Sequence, residues 1–377
     1  MASHPSSTEY SNTIGYSTGV AAAVMLSLIG LFVLTGFWSR AYWHQKQGRA
    51  EDLYTEGRKF EEENKLGEAL ERYRAASTID RGNATYRQSL ALTLVNLNRF
   101  TEAETYVRQV LERDPTHGLA NLMMGRIRGE TGAPDQAISY YQRAIYGSWS
   151  GEDARKRRIE ARLELADYLG QINRKKQRIS EILAVLDDAN GDVTLRKHIA
   201  DMLFESGDPS ESATVYRELV KEDSKDAESQ AGLGRAEFEL TDYRSARTAY
   251  WNALRWEPDN QNYRERLNII NDILSLDPMQ ARISERERAF RSRRLIERGL
   301  AVVTQCAPDL EKMPEATKSL VEKAQKQLKD RQSYQADSLE NNLNLAELLW
   351  AASGPLCGSP KDRDQALSLV IGGLEKQ

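Results

Sequence analysis

Proline is missing from the whole stretch between Pro5 and Pro115, and the 377-residue chain holds only ten in all. Long helices are therefore permitted near the start, because nothing there removes a backbone donor or forces a kink. Cysteine is nearly absent too: Cys306 and Cys357 stand too far apart for a CxxC redox pair or a zinc ribbon, and two thiols cannot staple a small secreted scaffold. The four histidines, His4, His44, His117 and His198, have no ligand spacing, and no HExxH motif or phosphate-cradling P-loop occurs. Gly15-Tyr16-Ser17-Thr18-Gly19 has the letters of a nucleophile elbow, but it abuts an apolar run where that motif needs a strand and a helix of an α/β sheet. No metal, no cofactor and no enzymatic activity are expected. A net charge of −4 provides no general pull toward nucleic acid, so none is expected as a partner. What remains, 40% apolar and 29% charged residues, suits a chain rich in solvated helices.

Charge is also missing locally. No charged residue lies between Glu9 and Arg40, and from Gly19 to Trp38 the only polar side chains are Ser27 and Thr35. Twenty residues at about 1.5 Å each cover roughly 30 Å, the thickness of a bilayer's hydrocarbon core. Tyr10 and Tyr16 precede the run, and Phe37, Trp38, Tyr42 and Trp43 close it, where amphipathic rings favour the headgroup layer. A transmembrane helix over 18–39 is expected, after a tail over 1–17. A cleaved signal peptide fits worse, since the basic n-region is missing and Gly36-Phe37-Trp38-Ser39 is poor cleavage chemistry. Arg40, Lys46 and Arg49 follow the span and no lysine or arginine precedes it, so the positive-inside rule puts the bulk of a single-pass chain in the cytoplasm. The alternative is a periplasmic or other extracytoplasmic location. Gly19, Ala23 and Ser27 form a small-residue row, for which ordinary helix composition is explanation enough.

Self-similarity is present at a fixed period. Ala69, Ala103 and Ala137 recur every 34 residues, in Gly67-Glu68-Ala69-Leu70-Glu71-Arg72-Tyr73, Thr101-Glu102-Ala103-Glu104-Thr105-Tyr106-Val107 and Asp135-Gln136-Ala137-Ile138-Ser139-Tyr140-Tyr141. The frame extends over 50–83, 84–117 and 118–151, is interrupted by Glu152 to Arg158, and resumes over 159–192, 193–226 and 227–260. Small residues stand where two antiparallel helices must cross closely, and bulky ones fill the space beside the crossing. The last frame is the fullest, with Gly234, Ala246, Tyr250, Ala253 and Pro258; the first has Gly57, Phe60, Ala69, Tyr73 and Ala76. Frames four and five depart from the pattern, with Arg178 and Ser212 at the position of the small residue, so 159–192 is the stretch where a break is most expected.

This spacing resembles the tetratricopeptide repeat, over about 210 residues of the chain. The resemblance implies an all-α fold, in which a transmembrane helix precedes a superhelical solenoid of six helix pairs over 50–260. A capping helix over 261–276 and a helical C-terminal region over 279–377 would follow. In that last region helices are expected near 280–305, 315–331, 335–353 and 361–375, the final two as a degenerate repeat around the loop 354–360. If these helices alternate in direction, both cysteines fall at one end of the bundle. A disulfide is then conceivable and would argue for export, but two unpaired thiols are expected.

The resemblance also implies a partner site, since in this family the first helix of each repeat lines a concave face. Its positions here include Tyr54, Arg58, Gln88, Leu92, Asn96, Leu122, Arg126, Leu163, Asp167, Lys197, Asp201, Phe204, Arg235 and Phe238. Such a groove suits an amphipathic helix or an extended segment of another protein. The family's carboxylate clamp is not matched, because Tyr54, Arg58, Gln88 and Leu92 occupy its positions. The expected function is a membrane-tethered protein-interaction scaffold or adaptor; the alternative is an envelope assembly factor or chaperone-like protein outside the cytoplasm. Two basic runs, Arg155-Lys156-Arg157-Arg158 with Arg174-Lys175-Lys176, and Arg282 to Arg298, could meet anionic headgroups or RNA. Solvated faces laced with pairs such as Glu287 with Arg291 are the expectation.

Overall fold

The computed structural model describes residues 9–149, 151–189, 191–308, 313–330, 333, 335–357 and 364–374. The expected tail over 1–17 lies partly outside them, as does His4. The described residues are all-helical, without a strand, and the chain divides into two compact units after Arg174, inside the frame 159–192. The first unit holds α1 (Glu9–Glu62), α2 (Leu66–Ile79), α3 (Ala84–Asn96), α4 (Phe100–Arg113), α5 (Gly118–Glu130), α6 (Pro134–Ile145) and α7 (Ala154–Gln171). The second holds α8 (Lys175–Leu186), α9 (Val193–Glu205), α10 (Pro209–Glu222), α11 (Ala227–Glu239), α12 (Tyr243–Trp256), α13 (Gln261–Leu276), α14 (Glu285–Cys306), α15 (Glu315–Lys329), α16 (Leu339–Cys357) and α17 (Gln365–Leu374).

Local chemistry starts these helices. Asn83 Oδ1 accepts hydrogen bonds from the Thr85 and Tyr86 amides at the head of α3, and Asp192, Asp226, Asp242 and Asn260 cap α9, α11, α12 and α13 in the same manner. Within each unit, consecutive helices then pack as antiparallel pairs around small residues. Ala69, Ala103 and Ala137 in the first unit and Ala246 in the second are wholly buried. Tyrosine rings fill the space left by glycines on the facing helix: a Cβ added at Gly57 would lie 2.6 Å from Tyr73, one at Gly125 3.1 Å from Tyr141, and one at Gly234 2.8 Å from Tyr250. The closeness of this packing is why the repeat tolerates only a missing or minimal side chain there.

α1 is one unbroken helix of 54 residues, so the apolar stretch and the first helix of the first pair form a single rod. Between Ala21 and Glu62 it is long and apolar enough to cross a membrane, and its apolar part is covered by no other element among the described residues. Ser27 and Thr35, its two polar side chains, donate to the Ala23 and Leu31 carbonyls at 2.8 Å each.

Beyond α12 the structure differs from the sequence expectation. α13 packs Ile270 against Ala246 and Tyr250 of the last repeat, and its Ile273 and Leu276 also enter a core shared with α14, α15, α16 and α17. α16 lies chiefly along α14, and α17 packs mainly on α13, so the last two helices do not form the expected degenerate pair. The loop expected over 354–360 is displaced as well, because α16 runs through Gly354 and Pro355 to Cys357. That extension brings Cys357 to Cys306 at the end of α14, with a Cα separation of 5.1 Å, and the two are bonded. The expectation of unpaired thiols is corrected: α14 and α16 run parallel, with α15 returning the chain between them, so their C-terminal ends coincide.

Candidate functional site

The first unit carries a groove on the face formed by α1, α3, α5 and α7. One cavity of about 520 Å³ is lined by Tyr54 from α1, Gln88, Leu92 and Asn96 from α3, Leu119, Leu122 and Arg126 from α5, and Arg157, Glu160 and Glu164 from α7. A second, of about 450 Å³, shares Asn96, Arg126 and Glu164 and continues to Phe100, Tyr168 and Gln171. Alternate helices of the stack supply this surface because each second helix packs behind its pair.

The groove's charges largely satisfy each other. Arg126 grips Glu164 with two parallel bonds of 2.6 Å, and the Tyr141 hydroxyl donates to the same carboxylate at 2.9 Å. Hydrogen bonding to Glu164 raises the Arg126 guanidinium above its ordinary value, burial opposing the effect. Burial, with Glu164 beside it, holds the Tyr141 phenol well above its own. At the other end Tyr86 donates to Glu51 at 2.6 Å; burial first, and that bond second, push its phenol up to about 12. The fork geometry of Arg126 and Glu164 fixes the floor as a rigid polar patch. The amides of Gln88 and Asn96, by contrast, make no hydrogen bond with the described residues. They present donors and acceptors beside Leu92, Leu119 and Leu122, which suits a peptide offering backbone groups and apolar side chains together.

Six of the residues assigned from the sequence, Tyr54, Gln88, Leu92, Asn96, Leu122 and Arg126, therefore meet in one cavity. Arg58 does not line it and pairs with Glu62 one turn away at 3.6 Å. In the second unit the assigned residues are engaged with one another. Lys197 bonds Asp226 at 2.8 Å and Glu228 at 2.6 Å, Arg235 pairs with Asp201, and the Arg235 guanidinium sits 4.3 Å over the Phe204 ring. Burial would raise the Asp226 carboxyl, but bonds from Lys197 and Ser229 together hold it below the usual range. Phe238 is half-buried edge-on against Tyr243, 5.3 Å between centroids, at the margin of the C-terminal core. The cavities of this unit, about 510 and 570 Å³, flank α17 and are lined by other residues, among them Arg266, Ile269 and Leu369.

Trp149, Glu160 and Glu164 were missed. The fourth frame, counted from 159, pointed to Leu163 and Asp167; α7 begins at Ala154, inside the supposed interruption, and Glu160 and Glu164 line the first cavity, while Asp167 lines the second. Trp149 lies in the connection before α7, where it donates its indole N–H to the Ala144 carbonyl at 2.8 Å. An exposed-looking loop tryptophan between two repeats was the available signal.

Helix pairs stacked at this period, with glycine or alanine at the crossings, define a class of protein-interaction repeat. The family model of the tetratricopeptide repeat matches residues 89–153 and 198–263, one stretch in each unit. No curated protein matches the sequence. Among solved structures, PilF of Pseudomonas aeruginosa is 16% identical, with 59% of this chain and 97% of that one covered at a TM-score of 0.40. PilW, titled a type IV pilus biogenesis factor, is 13% identical, with 58% and 98% covered at 0.40. YrrB, titled a repeat protein of this kind with an unusual peptide-binding site, is 14% identical, with 51% and 96% covered at 0.38.

Proposed function

We propose that this chain is a non-enzymatic protein-interaction module tethered to a membrane by α1, and that the groove of its first unit receives an extended or helical segment of a partner protein. The observation that carries the reading is the lining of that groove: the half-buried Leu92 and Leu119 lie beside the unengaged amides of Gln88 and Asn96, while the strongest charges, Arg126 and Glu164, neutralise one another. A partner segment there would bury apolar side chains on Leu92, Leu119 and Leu122 and bond its backbone to Gln88 and Asn96. The tether is supported by the apolar rod from Ala21, whose only two polar side chains are bonded to its own carbonyls, as hydrocarbon surroundings require.

A photo-crosslinking residue introduced in the full chain in place of Leu92 is expected to capture a discrete partner in native membranes, and one in place of the exposed Glu71 is not. Capture should weaken at least several-fold when Gln88→Ala and Asn96→Ala are combined, since neither side chain belongs to the core. Equal products at both positions, or none at Leu92, would rule the groove out.

One observation favours a second reading, an envelope assembly or chaperone-like factor whose bulk lies outside the cytoplasm. Disulfides persist in oxidising compartments, and Cys306 and Cys357 are bonded. Against it stand Arg40, Lys46 and Arg49 beside the span. A compartment-sensitive reporter fused after Gln377 separates the two.

A further inference from the structure

We propose that the edge of the first unit bearing Arg155, Lys156, Arg157 and Arg158 rests on anionic lipid headgroups of the same bilayer that α1 enters. The inference depends on the tether reading but not on the groove.

The continuity of α1 sets the geometry. Trp43 closes the aromatic margin of the apolar stretch, and Ala50, the first wholly buried residue of the rod, follows seven residues later, about 10 Å along a helix axis. Tyr86, in the first turn of α3, donates to Glu51 of α1 at 2.6 Å. Tyr54, Thr85, Leu119, Trp149 and Arg157 line one cavity, and the Gly118 amide at the head of α5 donates to Ser148 at 2.8 Å. The starts of α3, α5 and α7 thus stand together at the edge from which α1 departs toward its apolar part. A bilayer around that part lies about one Debye length from this edge at physiological ionic strength.

The chemistry of the edge matches such a surface. All four consecutive cations of α7 are exposed, and Lys156, Arg157 and Arg158 make no ion pair with the described residues. The second basic run differs: Arg291, Arg293 and Arg298 on α14 bond carbonyls or carboxylates of their own unit. Glu152 and Asp153 offset two of the four charges, and Arg81 on the α2–α3 turn adds one. The run does not serve α7 itself, because cations in a helix's first turn oppose its dipole and like neighbours repel. Beside it Tyr146 is 79% exposed, more than any other large apolar or aromatic side chain among the described residues outside the apolar part of α1, and the Arg162 guanidinium lies 5.6 Å over its ring. An exposed tyrosine with flanking cations suits the headgroup layer.

The test uses the full chain in vesicles of phosphatidylcholine alone or with one-third phosphatidylglycerol. Carbonate-resistant flotation is measured first, then brief amine acylation of Lys156 relative to Lys65, at the opposite turn of the unit, by mass spectrometry. Flotation should occur in both, with Lys156 acylated about five-fold more slowly on the anionic vesicles, the factor for one cation held at such a surface, and released by high salt. Arg81→Glu with Arg158→Glu should abolish the difference and leave flotation intact. Loss of flotation would overturn the tether and this inference together. Flotation with equal Lys156 rates overturns the inference alone, as does protection on neutral vesicles by added RNA or polyglutamate, which would assign the run to nucleic acid or an acidic protein.

Discussion

Six residues adopt left-handed backbone in the turns that follow α1, α3, α5, α7, α9 and α11: Asn64, Asn98, Gly132, Asn173, Gly207 and Thr241, with φ between 57° and 76°. They recur every 34 residues, except that Gly132 and Asn173 are 41 apart, which is 34 plus the seven residues 152 to 158. Each lies five residues before the crossing position, including the two where that position holds Arg178 or Ser212 in place of alanine. The turn therefore keeps register where the small residue has been lost, and it was legible in the sequence as asparagine or glycine at a fixed spacing. Thr241 is the exception, because a β-branched side chain is strained there. Thr241→Asn is expected to stabilise the second unit by about 1 kcal/mol, since asparagine visits this conformation readily and leaves the unfolded chain's freedom nearly unchanged. Chemical denaturation of the purified chain checks the sign; a lower midpoint would mean that the threonine makes a compensating contact.

At the scale of elements, the helical class and the period followed from small residues meeting at crossings, a constraint local enough to survive in one sequence. What was not legible depended on distant pairings. The fourth frame kept its register, with Asn173 in its turn, but its groove face was read as Leu163 and Asp167, and only the partner 38 residues back, Arg126, identifies Glu164 as part of the groove floor. The end of α16 was misplaced for a similar reason. Pro355 is a breaker in isolation, but near a helix end it removes one bond only, and burial of the adjoining turn against α14 carries the helix on to Cys357. The bond formed there closes a 51-residue segment that contains α15 and most of α16. Constraining the unfolded chain over that length is worth about 4 kcal/mol, so Cys306→Ser with Cys357→Ser should lower the stability of the second unit by that order. The same loss should appear when the native chain is unfolded under a strong reductant, and the double variant should be indifferent to it. A reductant effect of equal size in the double variant would show that the bond contributes nothing.

For the whole molecule, two rules that usually agree are opposed. The cations after the apolar stretch favour a cytoplasmic bulk, a kinetic preference set during insertion by the three residues Arg40, Lys46 and Arg49. The bonded pair in the second unit favours an oxidising compartment on thermodynamic grounds, because the cytosolic thiol pool reduces accessible disulfides. Three flanking charges can be outweighed by a downstream domain that translocates regardless of charge, whereas two cysteines 5.1 Å apart between α carbons at the coincident ends of parallel helices would leave their thiols free only in a reducing solvent. The two outcomes differ in cells. If the bulk is extracytoplasmic, a thiol-reactive maleimide applied to denatured chain from rapidly acid-quenched cells should label neither cysteine until reductant is added, and then both. Since Cys306 and Cys357 are the chain's only cysteines, the readout is unambiguous: labelling of both without reductant would place the second unit in the cytosol.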